Sequence, residues 1–136
     1  MLSPTSDTIR LFLHVLAATV WVGGQIVLAD LVPRLRAAAP PTTRIAARAF
    51  GAVAWPSFLI LFVTGMWSIV DIGLSEQTTD YQATVAVHVV LAVVAATSAA
   101  IHSLGRSKLA LALGGAIGLL SSLGALFVGM LLRTGA

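Results

Sequence analysis

The chain has 136 residues, 58% hydrophobic and 10% charged, with a formal net charge of +3 and a mean hydropathy of +0.99. A soluble domain carries about 25% charged residues, so this chain lacks the polar surface to stay in water as a monomer, and an integral membrane protein is expected. The absence of cysteine excludes disulfides, thiolate metal sites, iron–sulfur clusters and covalent haem attachment, and no aromatic–basic interleaving marks a nucleic-acid surface.

Residues 1–7 (MLSPTSD) form a short polar lead in which Ser6 or Asp7 is placed to cap the first helix. That helix is expected over about 8–32, ending at Pro33. Its apolar run of about 20 residues exceeds the 7–15 of a signal-peptide core and reads as a membrane span. The linker RLRAAAPPTT carries Pro40-Pro41. A second helix, about 43–72, opens with Arg44 and Arg48 and holds Pro56, where a kink is expected. The acidic loop DIGLSEQTTD, with Asp71, Glu76 and Asp80, leads to a third helix over about 81–103 that contains His88 and His102. The turn LGRSK then enters a fourth helix over about 108–132.

Four segments of this length each suffice to cross a hydrocarbon core of about 30 Å, and short connections make them alternate up and down. The loops after the first and third helices hold Arg34, Arg36, Arg44, Arg48, Arg106 and Lys108, against only Arg10 and Arg133 on the other side. The positive-inside rule then puts both termini outside. The expected architecture is an all-α, integral membrane four-helix bundle, up-down-up-down, with residues 1–136 as one domain in the cytoplasmic membrane. Gly114, Gly118 and Ser122 give the fourth helix a small-xxx-small face, suited to close packing inside the bundle or to a homo-oligomer.

The histidines carry the chemistry. His14, Trp21 and Gln25 share one face of the first helix. His14 lies roughly 9 Å, and His88 roughly 11 Å, inside the outer ends of their helices at 1.5 Å per residue. Hydrocarbon offers an imidazole no hydrogen bond, so such histidines need a partner, a ligand or a metal. Two at matched depth on facing helices suit the two axial positions of one haem iron. Arg10, one turn above His14, and Arg133 are candidate partners for the haem propionates, with snorkelling at the interface as the alternative. Ala92, Ala95 and Ala99 leave room beside His88 for a flat macrocycle. His102, roughly 21 Å below His88 on the same face, is a candidate second site or an interfacial residue. Copper is the rival, through Met66 and Met130 together with His14 and His88.

Several stretches resemble a known family. HVLAATVWVGG (His14 to Gly24) with LVPRL, FGAVAWPSFLILFVTGMWSI and AIHSLGR are similar to the first three helices of the copper resistance protein D (CopD) family. The His-x6-Trp-x-Gly pattern is also similar to HemJ-type protoporphyrinogen oxidases, four-helix membrane proteins that bind haem b through a first-helix histidine. That resemblance implies His14 as an axial ligand. Relatives commonly carry Lys in the third helix where this chain has His88. The expectation is a membrane-integral haem b protein, with one haem and a candidate second at His102. It would act in electron transfer, or as a haem-dependent oxidoreductase on O2, superoxide or nitric oxide, alongside an electron-transfer partner. A copper-binding or copper-transport protein and a cofactor-free structural subunit are the alternatives.

Overall fold

The computed structural model describes residues 2–135. It contains α1 (Ser6–Ala38), α2 (Thr42–Asp71), α3 (Thr79–Leu104) and α4 (Lys108–Thr134), one 3-10 turn at Leu74–Glu76, and no strand among the described residues. All four helices are long and apolar enough to cross a membrane. The chain divides after Ile72 into two compact units. Each is an antiparallel hairpin, α1 with α2 and α3 with α4. Each hairpin has a turn end and an open end.

The helix limits follow from local chemistry. Thr5, rather than Ser6 or Asp7, caps α1. Its hydroxyl accepts from the Thr8 N–H at 3.2 Å, and the Thr8 hydroxyl accepts from the Thr5 N–H at 3.3 Å, a reciprocal capping box. Asp7 sits one turn before Arg10 and pairs with it at 3.2 Å.

Pro33 does not end α1, which runs on to Ala38. Pro33 brings no N–H, but the residues after it (Arg34, Leu35, Arg36, Ala37, Ala38) are strong helix formers. Arg34 also donates two hydrogen bonds to Asp30, at 2.9 and 3.0 Å, across the proline. The helix stops where a second constraint acts. Ala39 precedes Pro40, a position that disfavours α geometry, and it adopts φ −153° and ψ 76°. At 33 residues, α1 is about 50 Å long, well over the roughly 30 Å of a hydrocarbon core.

Thr42 opens α2, which continues unbroken through Pro56 to Asp71. Asp71 therefore closes a helix instead of lying in the acidic loop. The chain then reverses at Gly73, whose φ of 58° is left-handed and costs glycine nothing. Thr78 caps α3 and Ser107 caps α4, each through a hydroxyl that accepts a first-turn N–H.

Small or polar side chains fill the interior. Ala17, Ala54, Ala95, Ser57, Thr64 and Ser98 are buried, while Phe12, Leu59, Phe62, Leu120 and Phe127 are exposed. Helices in lipid distribute residues this way, because the outside is as apolar as leucine and close packing needs small residues. In the first hairpin Trp21 is 5% exposed and packs on Phe58 at 4.8 Å and Trp55 at 5.6 Å between centroids. Gly24 leaves the space that the Phe50 ring fills.

In the second hairpin the small stripe of α4 is buried against α3. A Cβ on Gly114 would stand 2.9 Å from both the His102 nitrogen and the Ser98 carbonyl oxygen, and one on Gly118 would stand 3.5 Å from the Ser98 Cβ. Gly114, Gly118 and Ser122 thus serve packing within the hairpin.

This contact makes a direct prediction. Gly114→Ala puts a methyl against backbone that cannot yield, so thermal unfolding in detergent should show a loss of about 1–3 kcal/mol. Gly51→Ala meets nothing within 4 Å and should leave stability unchanged or raise it by up to about 1 kcal/mol through helix propensity.

Candidate functional site

The open end of the first hairpin is tied by charge. Arg10 donates from Nη1 to Asp71 Oδ2 at 2.5 Å and pairs through Nη2 with Asp7 Oδ1 at 3.2 Å. Its guanidinium lies 5.8 Å from the Trp67 ring centroid. The Arg10 side chain is only 12% exposed, whereas the Asp71 and Asp7 side chains are 47% and 67% exposed, so the guanidinium is sheltered and the carboxylates stay open to solvent. Arg10, read from sequence as a propionate partner, is thus engaged by two carboxylates of its own hairpin.

One turn deeper, His14 is half-buried and its Nδ1 lies 2.7 Å from Thr64 Oγ1. Thr64 is 4% exposed, and its hydroxyl donates to the Ile60 carbonyl at 2.6 Å. A hydroxyl has one proton. With that proton on Ile60, Thr64 accepts, and His14 Nδ1–H donates. The lone pair of the neutral ring is then on Nε2. Gly65 lies beneath the ring: a Cβ there would be 3.7 Å from His14 Cε1.

His88 is built the same way on α3. Its Nδ1–H donates to the Ala125 carbonyl of α4 at 2.8 Å, and a carbonyl can only accept, so its lone pair is again on Nε2. The ring lies over Gly129, where a Cβ would be 3.1 Å from Cε1. Each of the two histidines sits about two turns inside the open end of its hairpin.

His102, near the turn end of the second hairpin, donates Nδ1–H to the Leu111 carbonyl at 2.6 Å, over Gly115. All three histidines therefore place Nδ1–H on an oxygen of the neighbouring helix. Metal-bound histidines are held by this kind of outer hydrogen bond, which fixes the ring and raises the basicity of the other nitrogen.

The remaining sequence candidates scatter. Ala92 is half-buried one turn after His88, and Arg133 is exposed in the last turn of α4. Met66 and Met130 directly follow Gly65 and Gly129 but are 46% and 58% exposed. No group of three or more His, Cys, Asp or Glu residues able to hold a metal occurs among the described residues. Asp30 pairs with Arg34, and Gln25 donates to the Trp21 carbonyl at 3.1 Å.

Sequence reading alone missed Thr64 as the partner of His14. It also missed a correspondence between the hairpins. HVLA from His14 and LFVTGM from Leu61 parallel HVVLA from His88 and LFVGM from Leu126. In each hairpin the histidine of the first motif lies over the glycine of the second. The two copies differ by single-residue offsets, in opposite directions in the two motifs, so a scan for a fixed period passes over them.

No family model matches the chain, and neither the curated proteins nor the solved structures yield a match.

The His14–Thr64 bond can be weighed directly. Thr64→Val keeps the shape and removes the acceptor, leaving a half-buried N–H without its oxygen. A loss of about 1–3 kcal/mol is expected, measured by thermal unfolding in detergent. Thr64→Ser restores the hydroxyl and should recover most of that loss.

Proposed function

We propose that the chain is a multi-pass protein of the cytoplasmic membrane, with both termini outside. It holds one b-type haem through His14 and His88 and works in electron transfer or in redox chemistry on a small molecule. The observation that carries this reading is the matched setting of the two rings. Each is about two turns inside the open end of an apolar hairpin, and each spends Nδ1–H on an oxygen of the next helix. An outer hydrogen bond of this kind from Nδ1 is what holds and orients a metal-bound histidine. The resemblance of the first helix to HemJ-type sequences supports the same assignment for His14.

The chain's own residues have separable parts in this reading. Thr64 and the Ala125 carbonyl orient the ligands. Gly129 lets the His88 ring lie close to α4. The Arg10–Asp71 pair closes the first hairpin above His14, and Arg133 remains the candidate to meet a propionate. A haem held by His14 and His88 would supply reversible one-electron transfer.

The absorption spectrum of the purified full chain tests this reading. A Soret band with sharp α and β bands on reduction is expected, and His14→Ala and His88→Ala should each abolish retention of that haem. A colourless preparation that takes up copper would instead support a copper-handling protein, and retention of full haem in both variants would remove the ligand assignment.

Topology has its own test, since the chain lacks cysteine. A single cysteine at Ser3 should react with an impermeant maleimide on intact cells, whereas one at Thr43 should react only after lysis. The reverse pattern would invert the orientation.

A further inference from the structure

The first hairpin is longer than a hydrocarbon core is thick. Helix α1 has 33 residues and α2 has 30, or about 50 and 45 Å at 1.5 Å per residue. At the open end the Arg10–Asp71 ion pair marks one edge of the apolar span. About 20 residues cover a core of about 30 Å. That count leads from Arg10 to Asp30 on α1 and from Asp71 to Gly51 on α2. Residues 31–38 and 42–50 therefore project roughly 12 Å past the other edge, where the headgroup layer is about 5–8 Å deep.

This projection is basic throughout. Between residues 11 and 70 the charged side chains are Asp30, Arg34, Arg36, Arg44 and Arg48. Arg34 is taken by Asp30, through bonds of 2.9 and 3.0 Å. Arg36, Arg44 and Arg48 are exposed and make no ion pair among the described residues. By the same count Arg48 stands roughly 5 Å, Arg36 roughly 9 Å and Arg44 roughly 11 Å past the hydrocarbon edge. At those depths a side chain as long as arginine's reaches the lipid phosphates. At the tip, Pro40, Pro41, Thr43 and Arg44 line a recess of about 350 Å³. Thr42 and Thr43 spend their hydroxyls on the Ala39 and Pro40 carbonyls, which leaves guanidinium as the side-chain donor at this recess.

We infer that the turn end of the first hairpin is a binding surface for the headgroups of anionic phospholipids, with Arg36, Arg44 and Arg48 as the residues that hold their phosphates. Guanidinium meets phosphate through two parallel hydrogen bonds. Depth selects lipid over an acidic protein, because the three cations lie in or just beyond the headgroup layer, where lipid phosphate is the anion at hand. The positive-inside rule accounts for the direction in which the chain crosses. It does not account for two helices that both run on past the core and carry unpaired arginines there. The inference rests on the membrane reading of the chain, not on the haem, and it holds whichever way the turn faces. The second hairpin supplies a comparison. The same count from Asp80 and Arg133 ends at Ala100 and Leu113, so its helices project only roughly 6–8 Å, and its turn carries Arg106 and Lys108.

The test is native mass spectrometry of the purified full chain in detergent, titrated with phosphatidylglycerol and, separately, with phosphatidylcholine of the same acyl chains. Wild type should retain phosphatidylglycerol in preference, and added salt should weaken that preference. Arg44→Gln with Arg48→Gln should weaken phosphatidylglycerol binding by about fivefold for each arginine removed, the equivalent of about 1 kcal/mol per basic residue near an anionic surface. Arg106→Gln with Lys108→Gln removes the same charge and should weaken it less. Excess inorganic phosphate should leave the lipid bound, which separates a headgroup from free phosphate. Circular dichroism of each variant should match the wild type.

Equal retention of the two lipids by the wild type overturns the inference and leaves the arginines to an acidic protein. Equal losses in the two double variants overturn it as well, because any basic turn would then serve. Displacement by inorganic phosphate overturns lipid as the occupant. Should the Arg44→Gln, Arg48→Gln variant fail to fold, Arg36→Gln decides, a loss of about fivefold sustaining the inference and no loss overturning it. A chain that stays monomeric in water without detergent removes the membrane reading itself, and the inference with it.

Discussion

An imidazole set among apolar helices must give its N–H to an oxygen, and in a helix nearly every carbonyl oxygen already has a donor. A second donor reaches such a carbonyl only where the helix surface is bare, which makes glycine the companion of His88 and His102, whose acceptors are carbonyls. Gly65, Gly115 and Gly129 lie under His14, His102 and His88. Leaving a buried N–H unpaired costs about 1–3 kcal/mol, and in hydrocarbon no water can take the place of the missing oxygen. The register of each hairpin therefore cannot slide by a residue without stranding a ring. In the second hairpin two such bonds fourteen residues apart pin both ends of the α3–α4 contact, with Gly114 and Gly118 closing the interval between them.

The hairpins reach the same geometry by different means. The second uses a backbone acceptor, Ala125, and the ring comes close enough that a methyl on Gly129 would crowd it. The first carries one extra residue, Thr64, between the valine and the glycine of the shared motif. Its hydroxyl projects from the helix and receives His14, so the ring stands further off, and a Cβ on Gly65 would be in ordinary contact. The added oxygen replaces a close approach. Charge then secures the open end of the first hairpin, where Arg10 sits against Asp71, Asp7 and Trp67. With its side chain 12% exposed, Arg10 would be costly to leave unpaired there.

The four helices were legible because long apolar runs separated by short polar stretches, one of them carrying Pro40-Pro41, are sequence signals. Their ends were less so. Pro33 reads as a terminator, yet the alanines and arginines beyond it favour helix, and only the pre-proline geometry of Ala39 stops the chain. Thr5 was overlooked as a cap because its partner, Thr8, replaces the usual glutamate at the third position. The small stripe of α4 announced close packing but not its partner. The histidines announced a need but not its satisfaction, since two of the three acceptors are main-chain carbonyls, which every residue has. The paired motifs were present in the sequence, hidden by the same one-residue offset that gives Thr64 its role.

The residue type at position 88 sets what the niche can do. A lysine there would be charged, with three donors and no lone pair, and could only bind an anion or a carbonyl. Histidine divides the two functions between its nitrogens. Nδ1–H is spent on Ala125, which locks the ring. Serving the hairpin with one nitrogen and iron with the other requires an acceptor held at a fixed place. The antiparallel contact through Gly114 and Gly118 provides that place, so the close packing of α4 on α3 is a condition of the chemistry proposed for His88.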